Sequence, residues 1–152
     1  MLYGEHNWTQ IPDLTDKVAV VPLGSMEQHG HHLPLLTDTI GGIDIARRAE
    51  LALGDEAVFL PMLWVGASDH HLAFPGTVSV HNATYTRMIE DILESLLGAG
   101  FRRIVLLNSH GGNVAPASAA LYEVQMRRRD DGSPEWADLY ARAENGPVFS
   151  RA

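Results

Sequence analysis

Residues 24 to 39, GSMEQHGHHLPLLTDT, set Glu27, His29, His31, His32 and Asp38 into a stretch that is otherwise mostly glycine, proline and apolar residues. Carboxylates and imidazoles so concentrated are the side chains that pass protons or hold a divalent cation. A second such loop, NSHGGN at 108–113, carries His110. The chain has no cysteine, so disulfides and thiolate metal sites are excluded. Any metal here is held by carboxylate oxygen and imidazole nitrogen.

The elements that must position these groups alternate between strand and helix signals. KVAVVPLG (17–24) is a β-branched run closed by Gly24 and predicts a buried strand. From Thr39 to about Leu53, Ile40, Ile43, Ala46 and Ala49 make a helical apolar stripe, with Asp38 or Thr37 placed to cap it. AVFLPMLWVG (57–66) predicts a strand that is interrupted or lies at an edge, because Pro61 cannot donate to a ladder; Trp64 is read as sheet packing. A helix is expected from about Ala83 to Leu97 after the cap candidate Asn82, ended by Gly98 or Gly100. A buried strand follows at Ile104 to Leu107, then a glycine-rich turn. A last helix is expected at roughly Ala115 to Arg128, with Pro116 in its first turn.

This alternation implies βαβ units: an α/β fold with a mostly parallel sheet covered on both faces. Ligands in such sheets gather outside the carboxyl ends of the strands. Both histidine loops fall there. In extended backbone Glu27 and His29 point the same way, Asp38 returns to the same edge at the next helix, and His110 leaves the strand at 104–107. The four can therefore converge. The residues alone leave other readings open: Asp38 as a helix cap, and Glu27 and the histidines as solvated loop residues.

The chain has 152 residues with 45% hydrophobic and 20% charged residues, the balance of a single folded domain spanning 1–152. A formal charge of −8 argues against a nucleic-acid partner, and Arg127, Arg128 and Arg129 are diluted at once by Asp130 and Asp131. No apolar run approaches the roughly 18 residues of a membrane span, and the N-terminus lacks the regions of a signal peptide. A cytoplasmic protein with no membrane partner is expected.

Three stretches, PLGSMEQHGHHLPLLTDT, GASDHHLAFPGTVSV and VLLNSHGGN, resemble the leading motifs of the creatininase (creatinine amidohydrolase) family, in the family's order, over about Val18 to Asn113. The resemblance implies a metal-dependent amidohydrolase with a three-layer Rossmann-like fold, assembled as a homo-oligomer, often a hexamer. By motif position Glu27, His29, Asp38 and His110 match the family's metal ligands for one or two ions, and Asp38 matches the carboxylate that bridges two. Zinc, manganese and iron(II) all suit such donors, and a divalent ion with open positions activates water and polarises an amide carbonyl. His32 matches a histidine that shapes the pocket, while His31 is expected in solvent. Phe74, Pro75, Gly76 and Thr77 are read as structural first, and Gly111 and Gly112 as turn residues whose N–H groups lie near a developing oxyanion. Of Asp69, His70 and His71, His71 is favoured as a pocket residue that donates a proton to the leaving nitrogen. The catalytic assignments are Asp38 and His71.

Two departures accompany the resemblance. In creatininase itself a glutamate follows the last histidine by two residues; here that position is Gly112, which argues against creatinine as substrate. Members with H-G-G-N take a later glutamate from a motif absent here, and residues 130–152 match none of the family pattern. Glu123, Glu135 and Glu144 are read as solvated surface. A fragment truncated at the C-terminus ranks first, ahead of a minimal variant and an inactive oligomer subunit. The expected function is hydrolysis of a small cyclic amide, a formamide or a peptide amide; the alternative is a catalytically incomplete, metal-binding or oligomer-forming subunit.

Overall fold

The computed structural model of the chain describes residues 1–130, 138–143 and 146–149. Its elements in order are β1 (Val18–Leu23), α1 (Thr37–Leu53), β2 (Ala57–Phe59), α2 (Asn82–Gly98), β3 (Arg103–Asn108), α3 (Val114–Asp130), β4 (Asp138–Ala143) and β5 (Gly146–Phe149), with short 3-10 turns between them. The strands form one sheet in the order β2-β1-β3-β4-β5. Neighbours are parallel from β2 through β4, and β5 runs antiparallel on β4. Glu135 and Glu144 lie outside the described residues.

Alternation along the strands makes the layers. Ala19, Val21 and Leu23 of β1, with Ile104 and Leu106 of β3, are buried beneath α2 and α3 together with Tyr85, Ile89, Leu93, Ala120 and Val124. Each large apolar side chain so buried contributes about 1.5–3 kcal/mol. On the opposite face Val20, Ala57 and Phe59 meet Ala46 and Ala49 of α1. The result is a three-layer α/β sandwich. Between α2 and α3, Arg127 reaches the buried Glu90 at 2.8 Å and Arg128 reaches Glu94 at 2.5 Å. Two of the three arginines thus tie helix to helix.

The strand order carries a functional consequence. From β1 the chain crosses over α1 to β2 on one side, then over α2 to β3 on the other. The direction reverses between β1 and β3, which is the switch point where open α/β sheets hold ligands. Both histidine loops leave the sheet there.

Several local expectations need correction. Neither Thr37 nor Asp38 caps α1: the capping position is Leu36, and Asp38 sits within the first turn. The stripe of α1 is rotated, so that Ile40 and Ile43 are half exposed while Thr39, Gly42, Ala46 and Ala49 turn inward. The same rotation turns Asp38 to Ser25 and His110 at the end of the sheet. Asn82 is the first residue of α2 and His81 its cap. β2 ends at Phe59, ahead of Pro61, on the edge that the missing N–H requires. Trp64 then lies beyond the sheet and is half exposed, so it does not pack there. No strand is expected after residue 113 from the sequence, yet β4 extends the parallel ladder on β3. Among the described residues no helix is long and apolar enough to cross a membrane.

Candidate metal centre

Three segments build the site. The end of β1 is pinned to the start of α1: a Cβ on Gly24 would stand 2.4 Å from Thr39 Oγ1, and that hydroxyl donates to Ser25 O at 2.8 Å. Only glycine allows the strand end to touch the helix so closely. Beyond it Glu27 N–H donates to Leu35 O at 2.9 Å, and Gln28 N–H donates to Thr77 Oγ1 at 3.3 Å. Gly76 holds a φ of +91° in the turn that delivers Thr77. The FPGT stretch therefore serves structure, propping the Glu27 strand from outside. On the other side Ser109 Oγ lies 2.9 Å from both Leu23 O and Asp38 O, which fixes the β3 loop against β1 and α1.

These supports bring Glu27, His29, Asp38 and His110 together. Asp38 Oδ1 is 3.0 Å from His29 Nε2, and Oδ2 is 2.9 Å from His110 Nδ1 and 2.8 Å from Ser25 Oγ. Glu27 Oε1 is 3.4 Å from the same His110 Nδ1. Two overlapping donor sets emerge, Glu27 with His29 and Asp38, and Glu27 with His70 and His110; within each set the donor atoms lie within 4.8 Å of one another. Glu27 and His110 are buried.

The hydrogen bonds decide what each ring offers. His29 Nδ1 lies 3.2 Å from Glu27 O and His110 Nε2 lies 3.3 Å from Ala67 O. A carbonyl only accepts, so each of those nitrogens bears the hydrogen. The opposite nitrogen of each ring faces Asp38. An imidazole pinned by a carbonyl through one nitrogen and turned by the other onto carboxylates is how metal-binding histidines are oriented. Without a cation these contacts need a proton. Burial pulls the His110 pKa down, but the hydrogen bond to Asp38 and the charge of Glu27 outweigh it and hold it above the ordinary value. Burial likewise pushes Asp38 up, and hydrogen bonds from His110 and Ser25 with the His29 charge bring it below the usual carboxylate value.

One atom lacks even that. Glu27 Oε2 is buried without a hydrogen-bond partner among the described residues. An unpaired buried carboxylate oxygen is costly, and a divalent cation beside it would supply the missing countercharge. The donor set, oxygen and imidazole nitrogen throughout, fits zinc, manganese or iron(II).

The adjacent histidines of the 3-10 turn Asp69–His71 differ. Gln28 Oε1 accepts from Gly30 N–H at 3.0 Å, which leaves the Gln28 amide nitrogen to donate to His71 Nδ1 at 2.9 Å. His71 Nε2 then carries the hydrogen and points at Glu27 Oε1, 3.6 Å away. That ring is a proton donor in form. His70 is exposed, makes no hydrogen bond to a described residue, and stacks on His110 with ring planes 5° apart. Asp69 stands outside the cluster, accepting from Ser79 at 2.7 Å and His81 at 2.9 Å, which hold its carboxyl below the usual range.

Gly112 has no room for a side chain. A Cβ there would stand 2.1 Å from Ala67 O and 2.5 Å from His110 Nε2. Its role in this structure is close approach. His31 and His32 are exposed and not in the cluster, and Glu123 is exposed. Asn113 has a part that its motif alone does not reveal: fully buried, it accepts from Ala67 N–H at 2.9 Å and donates to Gly24 O at 3.0 Å. Its amide joins the ends of β1 and β3 to the segment carrying Ser68. Ser25, Ser68 and Gln28 are likewise supports that residue type does not announce. Their proximity to Glu27 or His70 in the motifs is the one available signal.

Comparison with known proteins gives the family and the fold. The family model described as creatininase, creatinine amidohydrolase, matches residues 4–148. The mycofactocin precursor peptide peptidase of Mycobacterium tuberculosis is 34% identical over 85% of this chain and 54% of its own length. A crystal structure of creatinine amidohydrolase superposes with a TM-score of 0.84 at 29% identity, over 93% of this chain and 57% of that one. Similar creatininase structures include a manganese form and a Zn–Zn type. The chain spans about half the length of the relatives it matches. With the family model matching residues 4–148 and the creatininase fold shared over 93% of the chain, the chain belongs to the creatininase family.

Proposed function

We propose that this chain is the metal-holding part of an amidohydrolase that cleaves the C–N bond of a small cyclic amide, a formamide or a peptide amide. Glu27, His29, Asp38 and His110 hold one or two divalent ions, zinc, manganese or iron(II). The observation that carries this reading is the pair of imidazoles, each fixed by a backbone carbonyl and each presenting its other nitrogen to Asp38. When bound, such an ion polarises an amide carbonyl and lowers the pKa of a water. Asp38, held from both sides by His29 and His110 and from below by Ser25, sets where the charge lies. His71, its tautomer fixed by Gln28, donates a proton to the leaving nitrogen. The relatives named above support the reading, since one is a peptidase and another an amidohydrolase.

A second reading is a metal-binding or oligomer-forming subunit without turnover of its own. One observation favours it: position 112 is closed to a side chain. One experiment separates the readings. Dialysis against Zn(II) or Mn(II) and elemental analysis should find retained ion, and Asp38→Ala should weaken retention by more than about 100-fold, beyond the roughly 10–100-fold effect of removing an outer partner. The loaded chain is then assayed on lactams, formamides and short peptide amides. Turnover lost in Asp38→Ala supports the hydrolase, retained ion without turnover supports the second reading, and no ion uptake overturns both.

A further inference from the structure

We infer that His70 is a metal ligand, and that with Glu27 and His110 it forms a second cation position beside the one made by Glu27, His29 and Asp38. The inference rests on the proposed reading that Glu27 and His110 bind a divalent ion, and it adds a residue and a count to it. The donor atoms of Glu27, His70 and His110 lie within 4.8 Å of one another, as do those of Glu27, His29 and Asp38. Glu27 belongs to both sets and has two oxygens: Oε1 faces His110 and His71, while Oε2 is buried and without a hydrogen-bond partner among the described residues. A buried carboxylate with one oxygen unpartnered, within 4.8 Å of a histidine that has no hydrogen-bond partner among the described residues, is the juxtaposition that carries the case.

The two neighbouring histidines are sorted by their hydrogen bonds. His71 is committed, accepting from Gln28 at Nδ1 and so bearing a hydrogen on Nε2. His70 is uncommitted, with neither nitrogen hydrogen-bonded to a described residue. His110 is held at Nε2 by Ser68 Oγ at 3.2 Å and Ala67 O at 3.3 Å, and its Nδ1 faces Asp38 Oδ2 at 2.9 Å and Glu27 Oε1 at 3.4 Å. His70 also occupies a prepared space. A Cβ on Gly112 would come 3.1 Å from His70 Cε1, so the bare glycine is what allows the His70 ring to lie parallel to His110 with centroids 6.0 Å apart. The turn that carries His70 is itself anchored, through Ser68 N–H donating to Ser79 Oγ at 2.7 Å and Ser79 Oγ donating to Asp69 at 2.7 Å. Imidazole and carboxylate donors of this kind take zinc, manganese or iron(II) rather than calcium or magnesium.

The test is Zn(II) titration of the full chain against a chromophoric chelator, with bound metal counted by elemental analysis. The wild type should hold two ions per chain. His70→Ala should hold one, with the affinity of the remaining ion within about 2-fold of the wild type's tighter step, and His29→Ala should also hold one. His70 is exposed and bonds to nothing described, so the variant leaves the fold intact, and its thermal unfolding without metal should match the wild type. The inference is overturned if His70→Ala binds as many ions as tightly as the wild type, or if the wild type binds one; either result leaves the proposed function standing. A wild type that binds none overturns both.

Discussion

At the scale of the residue, one amide decides what a histidine can do. Gln28 spends its oxygen on Gly30 N–H, so its NH2 group must face His71 Nδ1 and the ring must carry its hydrogen on Nε2. Gln28→Ala removes that constraint. Imidazole nitrogen NMR of the variant should show His71 sampling both tautomers, where the wild type shows Nε2–H alone, with bound metal unchanged. A wild-type ring already split between tautomers would contradict the assignment. At this scale the sequence is most readable: Glu27, His29, Asp38 and His110 stand out by type and loop position, and the structure brings them together. His70 does not stand out from His71, because their difference lies in a hydrogen-bond partner 43 residues away for one and none among the described residues for the other. Asn113 is hidden for the same reason, its partners being Gly24 and Ala67.

At the scale of the element, the turn after β3 shows how backbone contact replaces side-chain packing. Gly112 presses against Ala67 O and His110, and the carbonyl belongs to a segment clamped by Asn113, so it cannot give way. Gly112→Ala should therefore cost about 1–3 kcal/mol, the range for overpacking a filled interior, read as a lower midpoint in urea unfolding with unchanged slope. Gly111→Ala, with nothing within 4 Å of its Cβ position, is the control and should cost little. Helix periodicity gives α2 and α3 to within a residue or two at their ends. It misassigns the buried side of α1, where Asp38 is turned to Ser25, His29 and His110 and apolar Ile40 and Ile43 are left half exposed. The strand β4 escapes a reading by periodicity since its pairing is decided by the waiting edge of β3.

At the scale of the whole molecule, the site couples pH to stability. In the metal-free chain the raised His110 pKa contributes stability that is full below its ordinary value of 6.5 and lost as pH rises through the folded value. The lowered Asp38 pKa contributes stability present above 3.8 and lost as pH falls through the folded value. A divalent ion held by His110 would compete with its proton, so that stabilisation would run the other way and grow with pH. At zinc about 100-fold above Kd the linkage is about 2.7 kcal/mol, roughly 5–10 °C in Tm for a chain of this size. The zinc-induced rise in Tm should be larger at pH 8 than at pH 6; an equal or smaller rise at pH 8 would rule out binding through His110. The fold class is legible from the alternation of elements, and the position of the site from the carboxyl ends of the strands. The reversal between β1 and β3 is not, since strand order is set by pairing across the sheet.

The contacts from Asp38 to His110 and from Asn113 to Gly24 span 72 and 89 residues of chain. An ion seated between Asp38 and His110 would work as a removable cross-link closing a long loop of chain. Chelation would then loosen the molecule from its centre outward, and fraying at its margins would follow.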